Sequence, residues 1–148
     1  MDIVDPETRS RMMSRIRGKD TRPELAIRRA LHAAGLRYRL QARTLPGRPD
    51  IVLPRHRAVV FVHGCFWHRH DSCRYATTPT TRPEFWAAKF EGNIRRDAEV
   101  AKALLSGGWR VATVWECGTR TALAEVVSDL LAWIRSDEAV TDLPRRRA

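Results

Sequence analysis

Two short apolar runs lie near the middle of the chain, Pro49-Asp50-Ile51-Val52-Leu53-Pro54 and Ala58-Val59-Val60-Phe61-Val62, separated by Arg55-His56-Arg57. Both runs are rich in β-branched residues, and prolines or polar residues that favour turns bound them. They are shorter than an ordinary helix, so two neighbouring strands are the better interpretation. The sequence therefore predicts a sheet built around residues 49–62.

An aspartate opens the first of these strands. Asp50 is well suited to hold Mg²⁺, which prefers oxygen ligands and commonly contacts a phosphate. Pro-Asp is also common in turns, where the side chain caps the backbone. Many metal-dependent nucleases carry an acidic residue, any residue and then lysine on the next strand, whereas Val60-Phe61-Val62-His63 has neither. Either Asp50 is not catalytic, or a backbone carbonyl and histidines perform those tasks.

Apolar periodicity predicts three helices and one further strand: helices over residues 21–35, 81–107 and 121–135, and a strand over Trp109–Trp115. The first helix opens on Thr21-Arg22-Pro23-Glu24, which has the pattern of a capping box. The same four letters recur at Thr81, where they open the long second helix. The order helix, strand, strand, long helix, strand, helix predicts an α/β fold with helices packed on a sheet.

The excess of positive charge lies in the first third of the chain. The formal net charge is +10, and Arg9 to Arg57 alone contains 14 basic and 3 acidic residues, 13 of the basic ones being arginine. A GC-rich genome would also favour arginine, but everywhere in the chain. A concentrated excess attracts polyanions, so the sequence predicts nucleic-acid binding.

The length of 148 residues corresponds to one domain. We expect residues 1–20 to form an N-terminal DNA-binding arm, 21–136 the folded domain and 137–148 a flexible C-terminal tail. No run approaches the roughly 18 apolar residues of a membrane span, and the N-terminus lacks the regions of a signal peptide. We therefore expect a cytoplasmic protein without disulfides. It is expected to be a monomer, because no heptad pattern is present.

The segment from His63 to Thr80 has no helical or strand periodicity and needs another scaffold. It contains Cys65, His68, His70 and Cys73, and the third cysteine, Cys117, follows the last predicted strand. Three cysteines and one histidine would complete a closed tetrahedral zinc site, and the spacing allows either histidine. The alternative is three buried free thiols and two surface histidines.

Several motifs together resemble one enzyme family. They occur in order between residues 8 and 135: Leu45-Pro46-Gly47-Arg48-Pro49-Asp50, His63-Gly64-Cys65-Phe66-Trp67-His68, Thr81-Arg82-Pro83-Glu84-Phe85-Trp86, Asn93 with Asp97, and Gly108-Trp109-Arg110-Val111 with Val114-Trp115-Glu116-Cys117. This pattern is similar to that of the very short patch repair (Vsr) DNA mismatch endonucleases. The resemblance implies a restriction-endonuclease-like mixed sheet of the PD-(D/E)xK type, flanked by helices and carrying a structural zinc site.

The same resemblance implies an activity. It is a Mg²⁺-dependent, strand-specific nick beside a T:G mismatch, which arises when 5-methylcytosine deaminates. Two alternatives remain from the residues alone. One is a restriction-type endonuclease of the same fold, and the other is a non-catalytic, zinc-stabilised DNA-binding module.

Roles for individual residues also follow from the resemblance. Asp50 would bind Mg²⁺ together with the backbone carbonyl of Val62. His68 would activate or orient the attacking water, with help from His63 and Glu24. Zinc would be held by three cysteines and one histidine: Cys65, His70, Cys73 and Cys117. The chain departs from the family between His68 and Cys73, where Arg69, Asp71 and Ser72 interrupt a histidine-rich run that is shorter in the family. Glu24 is equally well explained as the capping partner of Thr21.

DNA contacts form the last group of implied roles. Phe66, Trp67 and Trp86 resemble the aromatic wedge that enters the base stack from the major groove, and Met13 and Ile16 resemble an arm that enters from the minor groove. Lys89 and Asn93, one helical turn apart, would contact bases or phosphates. Core packing is the alternative for Trp86, and solvated helix surface is the alternative for Lys89 and Asn93.

Overall fold

The computed structural model describes residues 21–145, in which five strands form one mixed sheet. The helices are α1 (Arg22–Ala33), α2 (Pro83–Ser106), α3 (Glu116–Thr121) and α4 (Leu123–Ile134). The strands are β1 (Arg39–Leu40), β2 (Ile51–Leu53), β3 (Ala58–His63), β4 (Arg110–Trp115) and β5 (Val140–Leu143). Among these helices, none is both long enough and apolar enough to cross a membrane.

The strands lie in the order β1-β2-β3-β4-β5. The first three are antiparallel, and β2 and β3 form the strand pair predicted from residues 49–62, with Ile51 opposite Val60. A short 3-10 turn, Pro54–His56, joins them and ends at Arg57 in the left-handed conformation, with φ of 51°. Strands β3, β4 and β5 are parallel, so helices connect them: α2 links β3 to β4, and α3 with α4 links β4 to β5.

Apolar residues cover both faces of the sheet because successive strand side chains point to opposite sides. Thirteen buried residues form the larger cluster, on the side of α1 and α4: Ile27, Leu31, Ile51, Leu53, Ala58, Val60, Ala112, Val114, Val126, Leu130, Trp133, Ile134 and Leu143. A smaller cluster packs under α2: Val52, Val59, Phe61, Leu104 and Val111. The predicted mixed sheet flanked by helices is therefore confirmed.

The two repeated TRPE segments fold differently. Thr21 caps α1, its Oγ1 accepting a hydrogen bond from the backbone N–H of Glu24 at 3.4 Å. In α2 the residue before the helix is Arg82, which has φ of 51° and makes no side-chain cap. The expected cap at Thr81 was therefore wrong, since the left-handed turn at Arg82 moves the helix start beyond the reach of the threonine.

The end of the chain also differs from expectation. Residues 137–148 were expected to be a flexible tail, yet Val140–Leu143 forms β5 and extends the sheet beside β4. Leu143 is fully buried in the larger core cluster, and Thr141 is 9% exposed. Four residues with an aspartate among them carry too weak an alternation to predict this strand. The predicted last helix corresponds to α4, and the short helix α3, which ends at Thr121 just before it, was not predicted.

Candidate active site and Cys/His cluster

The start of β2 and the end of β3 meet at one end of the sheet. Because the two strands are antiparallel, Asp50 lies beside the last residues of β3. The backbone N–H of Val62 donates to Asp50 Oδ2 at 2.8 Å. This hydrogen bond holds the carboxylate against the end of β3.

The first turn of α1 brings a second carboxylate to the same place. Glu24 is 3% exposed, and its carboxylate accepts a hydrogen bond from Arg28 Nη2. It also hydrogen-bonds to the carboxyl group of Asp50. Burial and this contact raise the pKa of Asp50 to about 7, although Val62 N–H and Arg28 act in the opposite direction. Two carboxyl groups in contact supply the oxygen ligands that a divalent cation such as Mg²⁺ prefers, so they form a favourable site for one.

The two interpretations of Glu24 are therefore compatible. Its backbone N–H completes the cap with Thr21, while its side chain faces Asp50 and Arg28. The helix start consequently fixes the position of the carboxylate.

Two histidines stack beside this carboxyl pair. His63 is the last residue of β3 and His68 lies in the following loop, with ring centroids 3.8 Å apart and planes inclined by 6°. Burial lowers the pKa of His63 to about 3, with a further lowering by His68. Its Nδ1 is buried without a hydrogen-bond partner within residues 21–145. His63 is therefore neutral at physiological pH.

A carboxylate on α2 orients the second histidine. His68 Nδ1 lies 2.7 Å from Asp97 Oδ2, with both side chains about one-third exposed at 30%. An ionised carboxylate only accepts hydrogen bonds, so the proton of neutral His68 is on Nδ1 and Nε2 is the basic nitrogen. This is the tautomer that a general base requires.

These groups line one cleft of about 610 Å³ between α1, the sheet end and α2. Gly47, with φ of 72°, allows the loop before β2 to pack against α2, because a Cβ there would overlap the side chain of Val100. Three basic side chains also line the cleft: Arg48, Lys89 and Arg96. The cleft thus combines a pair of carboxyl groups in contact with a positively charged rim suited to a phosphate backbone.

An aromatic cluster forms one wall of the cleft. Phe66 contacts Trp67, Trp86 and Phe90 in edge-to-face geometry, with centroids 5.0, 5.6 and 5.3 Å apart. Phe66, Trp67 and Trp86 are only partly buried. Asn93 Nδ2 donates to the backbone carbonyl of Trp67 at 2.9 Å. One donor of Asn93 therefore supports the aromatic wall from within the protein.

Behind the cleft, four side chains form a Cys/His cluster: Cys65, His70, Cys73 and Cys117. Their ligand atoms all lie within 4.8 Å of one another. His70 Nδ1 is 3.8 Å from Cys65 Sγ and 3.4 Å from Cys117 Sγ. A zinc tetrahedron with bonds of about 2.3 and 2.1 Å has an S···N edge of about 3.6 Å. The cluster could therefore hold zinc, and no position in it is left for His68.

The surroundings of the cluster fix its geometry. The His70 ring stacks on Trp115 at 4.3 Å, and the backbone N–H of Cys117 donates to Cys65 Sγ at 3.4 Å. Burial raises the pKa of Cys65 to about 12 and also raises that of Cys117. A metal ion would therefore displace protons from thiols that are otherwise neutral.

Comparisons with known proteins all point to one family. The sequence model of the family described as DNA mismatch endonuclease Vsr matches residues 1–74. The type II nicking enzyme V.XorIIP of Xanthomonas oryzae pv. oryzae is 50% identical over 116 residues, covering 78% of this chain and 85% of the relative. The DNA mismatch endonuclease Vsr of Escherichia coli K12 is 44% identical over 119 residues, covering 80% and 76%. This chain belongs to the Vsr family.

Membership in the Vsr family establishes the general activity. The protein is a DNA endonuclease, a hydrolase that nicks DNA in mismatch repair. DNA is accordingly its substrate, as the basic first third of the chain predicted. The Vsr family has a restriction-endonuclease-like fold, in agreement with the mixed sheet flanked by helices.

The structure brings most residues singled out from the sequence to two places. One place is the Cys/His cluster and the other is the cleft. The residues in the cleft are Glu24, Asp50, Val62, His63, Phe66, Trp67, His68, Lys89, Asn93 and Asp97, and Arg96 beside Asp97 also lines it. Trp86 joins the aromatic wall through Phe66 and Trp67. Met13 and Ile16 lie outside the described residues.

Sequence reasoning assigned no role to Asp97 and treated Arg69 only as a departure from the family pattern. Asp97 is 29 residues from His68, so no local spacing links the two. Arg69 sits in a segment without periodicity, where neither burial nor contacts follow from the residue order. Both become significant only when the loop is seen packed on α2.

Proposed function

We propose that this Vsr-family endonuclease cuts one strand of duplex DNA beside a T:G mismatch, in a reaction that depends on Mg²⁺. The observation that carries the proposal is that the Glu24–Asp50 carboxyl pair and the His68–Asp97 pair share one cleft. Such a nick starts the replacement of a thymine that arose from 5-methylcytosine. Because bacterial DNA lies in the cytoplasm, we place the reaction there, carried out by a monomer.

The donor chemistry of the cleft fits Mg²⁺. The carboxyl groups of buried Glu24 and partly buried Asp50 are in contact, and desolvation together with that contact raises the pKa of Asp50 to about 7. Asp50 and the backbone carbonyl of Val62 would hold the ion, with Glu24 beside them. When bound, Mg²⁺ stabilises negative charge that develops on the phosphate oxygens.

His68 serves as the base in this proposal. Its Nε2 takes a proton from the attacking water, while Asp97 accepts the Nδ1–H and holds the ring orientation. His63 stays neutral because its pKa is about 3, and its stacked ring limits the movement of His68. When His68 takes up the proton, its positive charge therefore lies next to the Asp97 carboxylate, and the stacked His63 ring does not add a second positive charge.

Asp97→Asn is expected to lower the single-turnover nicking rate by about 10²-fold, because general-base catalysis typically contributes 10²–10⁴-fold and the amide permits the wrong tautomer of His68. Rates at saturating enzyme on a T:G duplex measure this. Glu91→Gln is the matched control, since Glu91 lies on the same helix and pairs only at the surface with Arg95. A wild-type rate for Asp97→Asn would remove this pair from the mechanism.

Recognition of the mismatch is assigned to the aromatic wall. Phe66 and Trp67 are partly exposed at the cleft, and Trp86 packs against both. All three would insert between base steps from the major groove. Unstacking is least costly where pairing is already poor, so insertion favours a mismatch over a matched site. Met13 and Ile16 would enter from the minor groove. Lys89 and Asn93 would contact bases or phosphates at the cleft.

Trp67→Ala is expected to lower the ratio of kcat/KM on T:G duplex to that on matched T:A duplex by about tenfold, because base–aromatic stacking contributes about 1–3 kcal/mol per base. Trp67→Phe should restore most of the ratio, since a ring can still insert. If Trp67→Ala kept the wild-type ratio, the indole would be part of the wall but not of recognition.

The Cys/His cluster is assigned to structural Zn²⁺. Three thiols and one imidazole fill four positions and leave none for water, which is the pattern of structural sites. The cluster ties the loop after β3 to the start of α3, where Cys117 lies. Its role is therefore to hold His68 and the aromatic wall in place rather than to take part in the reaction.

A denaturing gel tests the proposed function directly. Duplexes with T:G, T:A and C:G at one position, labelled on either strand, are incubated with Mg²⁺ or with EDTA. We expect one strand of the T:G duplex to be cut, only with Mg²⁺. Cutting of both strands at matched sites would instead support a restriction-type enzyme, and binding to T:G duplex without cutting would support a DNA-binding module.

A further inference from the structure

The guanidinium of Arg69 organises the loop between β3 and α2. It donates to the backbone carbonyls of Phe66, Ala76 and Thr77 at 3.3, 3.1 and 2.8 Å, and to Thr78 Oγ1 at 3.0 Å. These bonds connect the beginning of the loop to a segment about ten residues later. The planar fork of arginine makes such a set of bonds possible, and lysine cannot reproduce it.

The same guanidinium lies against the aromatic wall. Its carbon is 4.0 Å from the ring centroid of Phe90 and 5.7 Å from that of Phe66. Phe90 is a buried residue of α2, whereas Phe66 is partly exposed at the cleft. Arg69 therefore couples the partly exposed Phe66 to the fixed helix α2 through cation–π contacts and a hydrogen bond to the Phe66 carbonyl.

The backbone at Arg69 is also unusual. Its φ of 55° lies in the left-handed region, which is unfavourable for a residue with a side chain. This turn lies between two histidines that have different partners. His68 contacts Asp97, whereas the His70 side chain lies among the three cysteines. The contacts of the Arg69 side chain offset that conformational cost and hold the turn.

We propose that Arg69 is a positioning residue for mismatch recognition. It fixes Phe66 and Trp67 in the orientation in which they insert into DNA, and it acts on selectivity rather than on the chemical step. This inference rests on the proposed function of the aromatic wall. It assigns a recognition role to a residue outside every motif quoted from the sequence.

A second arginine with similar contacts provides the control that distinguishes a role in mismatch recognition from a general effect on folding stability. Arg110, at the opposite end of β4 from the cleft, donates to the carbonyls of His56, Trp133 and Ile134 and lies 4.7 Å from the Trp133 ring centroid. Arg69→Gln and Arg110→Gln therefore remove similar sets of contacts. Both variants should fold, because each releases a carbonyl at the exposed surface, that of Thr77 for Arg69 and that of Glu138 for Arg110.

Two measurements distinguish the variants. The first is the steady-state nicking of T:G and matched T:A duplexes, which gives kcat and KM for each. Selectivity is the ratio of the two kcat/KM values. The second is the emission of 2-aminopurine placed next to the mismatch, measured without a divalent cation, which rises when the base unstacks. For Arg69→Gln we expect KM on T:G duplex to rise and selectivity to fall about tenfold. We expect kcat to stay within about threefold of wild type, because loss of binding made equally in the ground and transition states raises KM alone. Its 2-aminopurine signal should be smaller than that of wild type.

The remaining outcomes also decide the question. Arg110→Gln should keep wild-type selectivity and emission even if its Tm falls, and Arg69→Lys should recover part of both signals. Wild-type selectivity in Arg69→Gln, or an equal loss in Arg110→Gln, would overturn the proposal. If the Arg69→Gln variant did not retain its zinc, selectivity and emission would be compared between wild type and Arg69→Lys instead. Failure of the wild-type protein to nick T:G would instead overturn the proposed function, and the emission data would still test Arg69.

Discussion

Asp50→Asn is expected to eliminate nicking, lowering the single-turnover rate on a T:G duplex by about 10⁴-fold or more, as when a central group of a hydrolytic site is removed. The amide has nearly the same shape and can still accept the hydrogen bond from Val62 N–H. It also removes one of two carboxyl groups that are in contact, so the metal-free variant should be at least as stable as wild type. Rates are measured by rapid quench and stability by thermal unfolding.

The matched control for this variant is Asp142→Asn. Asp142 lies on β5 of the same sheet, and its carboxylate accepts a hydrogen bond from Trp115 Nε1 at 2.8 Å outside the cleft. This variant should nick normally. In addition, Mg²⁺ should raise the Tm of wild type and of Asp142→Asn but not of Asp50→Asn, because only a ligand that binds the folded state stabilises it. Persistent nicking by Asp50→Asn would show that the carboxyl pair is not the catalytic centre.

Loss of the Cys/His cluster is expected to have the largest effect on stability. Cys117→Ser should lower the metal content from one zinc per chain to nearly none. It should also lower Tm by about 10 °C or more, since a domain of this size loses about 2–4 °C per kcal/mol and structural zinc contributes several kcal/mol. Elemental analysis and calorimetry measure the two effects. A metal-free wild-type protein with an unchanged Tm would contradict the assignment.

Substitutions of His68 and His70 should distinguish the catalytic role from the zinc-binding role of the loop after β3. His70→Asn is expected to lose zinc and stability together, because His70 Nδ1 lies beside Cys65 and Cys117. His68→Asn should keep its zinc and its Tm while losing nicking. His32→Asn, an exposed position on α1, is the control that should change neither. The opposite pattern would exchange the roles of His68 and His70.

Local patterns in the sequence predicted much of the fold because they report burial. The two short apolar runs in residues 49–62 located β2 and β3, and the periodicity after Pro83 located α2. The Thr21 cap was confirmed, since it depends only on residues within one helical turn. β1 and β5 were not predicted, because strands of two and four residues carry too little periodicity and depend on pairing with a neighbour.

In the candidate site, too, local patterns indicated the residues, whereas tertiary contacts decided their partners. Residue types and spacing pointed to an acidic metal ligand at Asp50 and to a Cys/His site, but spacing alone allowed either His68 or His70 in it. The structure places His70 with the cysteines and His68 with Asp97, 29 residues further along the chain. The contact between Glu24 and Asp50 joins residues 26 positions apart, which no local pattern can reveal.

The order of residues alone was thus sufficient for the class of fold, the basic surface and the set of chemically active side chains. These properties follow from composition and from periodicities of two or 3.6 residues, which are local. Which carboxylate meets which histidine, and which aromatic rings Arg69 holds, depended on the tertiary structure. Such contacts arise from strand register, the left-handed turn at Arg69 and the packing of α2, and those are set by the whole chain at once.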